Sequence, residues 1–163
     1  MKKCLILFLL LAGCGRSDQP ADGGNDAKPA VAGPTATIAN DRLDGLYESG
    51  TGAQKNQLCI VEKGADAQFG LLVWGGNLHS CSGAGQAVRA GERLMLKMAG
   101  DEACAIEATL KDGTVTLPAT LPTGCAYYCG ARASLGGASF TRSGTTEADT
   151  KKATDIAGDP LCD

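Results

Sequence analysis

The sequence predicts a mainly β fold: a small antiparallel barrel or sandwich of about 7–9 short strands, stapled by disulfides and followed by a short C-terminal helix. Three observations predict it. Alternating apolar and polar residues flank an Asp-Gly turn, 23 glycines punctuate the 163 residues, and six cysteines fall between Cys59 and Cys162.

In chain order, Arg42 to Glu48 reads as a first short strand and Leu58-Cys59-Ile60-Val61 as a second. Phe69-Gly-Leu-Leu-Val-Trp74 is a continuous apolar run, the pattern of a strand buried on both faces. Gly75-Gly76-Asn77 turns the chain into Leu78 to Cys81. Gly83-Ala84-Gly85 reads as another turn, since neither a P-loop lysine nor a helix start follows it, and Gln86 to Arg89 as a separate strand. From Glu92 to Leu117 the pattern predicts a three-stranded meander. Leu94, Leu96 and Met98 share one face of its first strand, and a bulged three-residue loop at Gly100-Asp101-Glu102 sets Met98 opposite Cys104, Leu96 opposite Ile106 and Leu94 opposite Ala108. Asp112-Gly113 then suits a two-residue type I′ turn. That turn puts Leu110 opposite Val115 and Ala108 opposite Leu117, with Thr109 facing Thr116 on the other side, so apolar and polar faces separate. Ala138 to Arg142 is a last strand. Thr146-Glu-Ala-Asp149 forms a loose capping box, Gly158 suits a C-cap and Pro160 a stop, which predicts a helix from about Thr146 to Ala157.

Residues 41–163 make one domain, and its aromatics are few: Tyr47, Phe69, Trp74, Tyr127, Tyr128 and Phe140. A thin core of this kind is reinforced in exported domains by disulfides. Cys59, Cys81, Cys104, Cys125, Cys129 and Cys162 are therefore expected to form three bridges. Six cysteines allow about fifteen pairings; the order along the chain suggests Cys59–Cys81, Cys104–Cys125 and Cys129–Cys162. A metal centre is not expected, because no Cys-x-x-Cys pair occurs and His79 is the only histidine.

No catalytic constellation is visible either. There is no Gly-x-Ser-x-Gly elbow for a hydrolase triad, His79 reads as structural, and no cofactor motif is present. The most distinctive segment is Cys125-Ala-Tyr-Tyr-Cys129-Gly-Ala-Arg132. Tyr and Arg carry much of the binding energy at protein contacts, so Tyr127, Tyr128 and Arg132 are the candidate binding surface. The alternative reading has the tyrosines plugging the barrel end and Arg132 merely solvated.

The first residues have the layout of a secretory signal: Lys2 and Lys3, the apolar run Cys4 to Leu11, then Ala12 and Gly13. The run is too short for a permanent span, which needs roughly 20 apolar residues. Leu11-Ala12-Gly13-Cys14 resembles the lipobox of bacterial lipoproteins. The resemblance implies a signal peptide over residues 1–13, cleavage before Cys14 and acylation of Cys14, palmitate included. Gly15 in place of an aspartate favours the outer membrane, with the domain facing the periplasm. Residues 14–40 are rich in Gly, Ala, Pro, Asp and Asn and read as a disordered tether, with a span of roughly 25–30 Å. Without Lys2 and Lys3 thirteen cations face 18 anions, a net charge of −5, which argues against nucleic acid as a partner.

A small disulfide-bonded barrel behind a lipobox is similar to the membrane-bound inhibitors of C-type lysozyme. Their Ser-Gly-x-x-Tyr element is matched in its first half by Ser82-Gly83, while position 86 is Gln, so no inhibitory site is carried over. The expected function is a membrane-anchored, non-catalytic envelope lipoprotein that binds an envelope protein or a small ligand. Inhibition of lysozyme or another incoming hydrolase is the second expectation, and an enzyme acting on envelope glycan or lipid the third.

Overall fold

A computed structural model of the chain describes residues 42–100 and 103–162. The expected signal peptide, Cys14 and the expected tether lie outside the described residues. Eight strands follow one another: β1 (Gly45–Ser49), β2 (Asn56–Lys63), β3 (Asp66–Trp74), β4 (Ser80–Ala90), β5 (Arg93–Met98), β6 (Ala105–Lys111), β7 (Thr114–Thr116) and β8 (Ser139–Gly144). Each pairs antiparallel with the next, and β8 returns to β1, so the sheet is a closed barrel.

The expected registers hold through the meander. Leu94 pairs with Ala108 and Leu96 with Ile106, and the Met98 N–H donates to the Cys104 carbonyl at 3.1 Å. Asp112 and Gly113 both take positive φ (49° and 74°), as the type I′ turn demands, and Leu110 faces Val115. The β6–β7 ladder stops at Thr109 and Thr116, short of the Ala108–Leu117 pair. Pro118 follows immediately and has no N–H to extend a strand.

Inward-facing side chains fill the barrel. Tyr47, Phe69, Phe140, Leu58, Ile60, Leu71, Leu94, Leu96 and Ile106 are essentially inaccessible and belong to one continuous cluster drawn from β1, β2, β3, β5, β6 and β8. Phe69 to Val73 is buried on both faces, as its unbroken apolar run predicts. Phe69, Leu71 and Val73 enter the core, while Gly70 lies under Leu161 on the outside.

Three expectations are corrected. Gly83-Ala84-Gly85 is not a turn but the middle of β4, which runs unbroken through Gln86 to Arg89. A Cβ on Gly83 would come within 2.8 Å of the Met98 sulfur, and one on Gly85 within 1.9 Å of the Lys97 carbonyl oxygen, so close approach and not chain reversal explains these glycines. The helix is one turn, α1 (Glu147–Thr150). Its capping box is formed by Thr146 and Asp149, but Asp155 Oδ1 accepts from the N–H groups of Ala157 at 2.8 Å and Asp159 at 3.0 Å. That local turn competes with helix over the predicted second half. The bridges are Cys59–Cys162, Cys81–Cys129 and Cys104–Cys125. Only Cys104–Cys125 matches the chain-order pairing; Cys59–Cys81 and Cys129–Cys162 do not form. Cys81 points into the core with Val73 and Met98, whereas Cys59 points outward with Leu46 and Val61.

The outward cysteine explains the tail. Residues after α1 strap the outer face of β1, β2 and β3, where Leu46, Cys59, Ala153 and Cys162 form a second, small cluster flanked by Val61 and Leu161. Gly70 lets the strap lie flat, since a Cβ there would stand 2.2 Å from the Leu161 carbonyl oxygen. The Thr154 N–H donates to Gln57 Oε1 at 3.3 Å, and the Leu161 N–H returns to the Ala153 carbonyl at 2.9 Å.

Candidate binding surface

Strand direction divides the turns between two ends. At one end lie residue 42, where the described chain enters, and the tight turns at Gly64, Gly91 and Asp112-Gly113. At the other lie the β1–β2, β3–β4 and β5–β6 connections and the long β7–β8 connection, residues 117–138.

The long connection is ordered by two disulfides and a set of backbone hydrogen bonds. Cys104–Cys125 ties the 3₁₀ turn Thr123–Tyr128 to the start of β6, and Cys81–Cys129 ties the next residue to β4. The Gly130 N–H donates to the Ser80 carbonyl and the Gly76 N–H to the Arg132 carbonyl, each at 2.9 Å. Leu135, 1 % exposed, anchors the return limb in the core. The connection folds around a crevice of about 500 Å³, lined mainly by small residues such as Ala119, Pro122, Ala131 and Gly136.

The two tyrosines differ in burial. Tyr128 is half-buried and plugs the barrel end: its ring packs over Gly83, where a Cβ would be 3.1 Å from Cδ1, and its hydroxyl donates to the Ala99 carbonyl at 3.1 Å. Tyr127 is 85 % exposed and meets Tyr128 edge-on, with ring centroids 5.5 Å apart at 88°. Arg132 is exposed on the neighbouring limb. From Thr114 to Phe140 it is the only charged residue.

Sequence reasoning missed Leu78. It is 74 % exposed, on the Gly75–His79 turn that the Arg132 carbonyl holds. Asn77 and Leu78 take φ of 54° and 63°. Left-handed backbone at a bulky side chain costs on the order of 1–3 kcal/mol and persists only where neighbours enforce it. Here the Gly75 N–H donates to the His79 carbonyl at 2.7 Å. The Gly-Gly-Asn sequence signals such a turn, but nothing in it says that the leucine faces water. His79 is half-buried, and a Cβ on Gly130 would stand 2.9 Å from its Nδ1, so the histidine packs against the Gly130 backbone. Among the described residues no group of three or more His, Cys, Asp or Glu is placed to hold a metal ion.

The opposite end is built on charge. The Tyr47 hydroxyl donates to the Leu43 carbonyl at 2.8 Å and accepts from Arg142 Nε at 3.1 Å. Arg142 also donates to the Arg42 carbonyl, and Arg42 pairs with Asp44 and, at 3.5 Å, with Glu62. Burial pushes the Tyr47 hydroxyl above its ordinary value, against the pull of Arg142. Ser82 and Gly83, the half-match to the inhibitor element, lie within β4 and not on a projecting loop.

Comparisons with known proteins add no family: the chain matches no family model, no curated protein and no solved structure.

Proposed function

We propose that the chain is a membrane-anchored, non-catalytic lipoprotein of the bacterial envelope, held by lipid on Cys14, whose barrel captures a protein partner through its loop end. The observation that carries the reading is the exposure of Leu78, Tyr127 and Arg132 at the loop end: two large apolar side chains and a single charge on connections held by two disulfides. Charge depletion with Tyr and Arg retained is the composition of an interface core, and rigid loops lose little entropy on docking. A barrel filled by its own side chains turns recognition outward. Three disulfides fit an oxidising compartment, and the outer membrane facing the periplasm is the location the lipobox and Gly15 favour.

Two measurements test the reading. Labelled palmitate should enter the wild-type chain in a bacterial host and fail to enter Cys14→Ser. A defined envelope protein recovered with the wild type should be lost with Tyr127→Ala combined with Arg132→Ala; undiminished recovery removes this face as the contact. Inhibition of an incoming hydrolase such as lysozyme is the second reading, favoured by the closed, disulfide-bonded barrel. Unchanged lysozyme activity at micromolar protein would end it.

A further inference from the structure

The chain's only tryptophan is not one of the three residues proposed for the loop-end face; it ends β3 on the strap side of the barrel. Phe69, Leu71 and Val73 point into the core, so Leu72 and Trp74 project from the outer face of β3, and Trp74 is half-buried there. They line a groove of about 510 Å³ with Glu48, Lys55, Gln57 and Ile156, between the β1–β2 turn and the strap turn. Leu72, 3 % exposed, gives the groove a buried apolar base, and Ile156, 70 % exposed, stands on the strap side of it.

The polar side of the groove is already organised. Lys55 Nζ is 3.4 Å from Glu48 Oε1, and Gln57 accepts from the Thr154 N–H at 3.3 Å. Partial burial opposes ionisation of Glu48, but hydrogen bonds from Ser143, Lys55 and Gln57 outweigh it and hold the carboxyl below its ordinary value. An indole and an isoleucine thus sit beside a carboxylate, an amide and an ammonium whose positions are fixed by one another.

We propose that this groove binds a neutral saccharide, with the C–H face of a sugar ring against Trp74 and Ile156 and its hydroxyls on Glu48, Lys55 and Gln57. A sugar ring has this double character, one apolar face and a rim of groups that both donate and accept. A peptide in extended form would need a sheet edge, and β1, β2 and β3 are each paired on both sides. A purely apolar ligand would strip water from Glu48 and Lys55 without replacing their hydrogen bonds. An anionic ligand would meet Glu48 and Asp155, with Lys55 already engaged by Glu48. The inference is independent of the loop-end face.

Because Trp74 is the only tryptophan, its emission reports this groove alone. Purified, oxidised protein is titrated with chitotetraose, cellotetraose and maltotetraose, and with an acidic oligogalacturonide. At least one neutral sugar should give a saturable emission change with a Kd of about 1 mM or tighter. By calorimetry, Trp74→Ala and Ile156→Ser should weaken that binding, the former about tenfold or more, while Tyr127→Ala binds as the wild type does. Ile156 is exposed, so its variant keeps the test valid if Trp74→Ala folds poorly. The proposal fails if no neutral sugar saturates by roughly 10 mM, if only the acidic sugar binds, or if binding survives both Trp74→Phe and Ile156→Ser unchanged.

Discussion

The two ends of the barrel close by different means. Where the chain enters, the turns are short and glycine-based, and Tyr47 is wholly buried under a lattice of Arg142, Arg42, Asp44 and Glu62. At the loop end a 22-residue connection with one charged residue is held by Cys81–Cys129, Cys104–Cys125 and Tyr128. A tight turn determines its own shape from two or three residues and leaves little surface to vary. A long connection must be held from outside itself, and covalent links do this without placing charges in the exposed face. The difference separates an end closed by a charged network from an end closed by disulfides.

That separation can be broken or sharpened by substitution. The largest effect is expected for Tyr47→Ala, which empties a buried aromatic site and removes a partner of Arg142; a loss of about 3–5 kcal/mol should appear in denaturant unfolding. A loss below 1 kcal/mol would show that the charged end does not carry the barrel. Replacing Cys81 and Cys129 together with alanine should cost about 2–4 kcal/mol. Faster amide exchange should then concentrate in residues 117–138, with the Gly91 and Gly113 turns protected; uniform acceleration would mean that the ends are not separable. Tyr128→Ala should cost about 1–2 kcal/mol, since the ring is only half-buried and its hydroxyl makes one backbone bond.

An acid titration tests the charged end from another side. Hydrogen bonds from Lys152 and from Thr146 hold the Asp149 carboxyl well below its ordinary 3.8. A depressed carboxyl stabilises the folded state fully above its unfolded value, begins to lose that contribution below it, and has lost it once pH falls through the folded value. The amides of Thr145 and Thr146 should therefore lose protection as pH drops below about 3.8, while loop-end amides do not respond, and Asp149→Asn should abolish the dependence. The smallest effect is expected from Tyr127→Ala, within about 0.5 kcal/mol of wild type in stability. Loss of partner capture without loss of stability is the outcome that separates recognition from folding.

Local features of the fold were legible in the sequence, and features closed over long distances were not. Asp112-Gly113 specifies a turn geometry, and alternation on either side then allows only one register, so the meander could be read residue by residue. Cys104–Cys125 agrees with the chain-order pairing, but Cys59–Cys81, which would close a stretch of similar length, does not form, because the two cysteines face opposite sides of the sheet. Cys59–Cys162 joins residues 103 apart, and only the outward direction of Cys59 within β2 reveals the partner. Gly83 and Gly85 misled because a glycine needed for close packing looks the same in sequence as one needed to turn. Of the candidate surface the sequence shows the residue types but not their orientation: Tyr127 and Tyr128 are adjacent on a 3₁₀ turn and face different ways, the first exposed and the second over Gly83. Leu78 and the Trp74 groove depend on which side of a closed sheet a residue faces, which needs the closure itself.

The Cys59–Cys162 bridge also imposes an order in time. A chain made from its N-terminus presents Cys59 long before Cys162 exists, so that cysteine waits 103 residues for its partner, and β1 waits for β8. Cys104 and Cys125 can join early, whereas the strap seals the molecule last. Completion of the domain thus waits on Cys162, and a thiol exposed at Cys59 marks every molecule in which the strap has not closed.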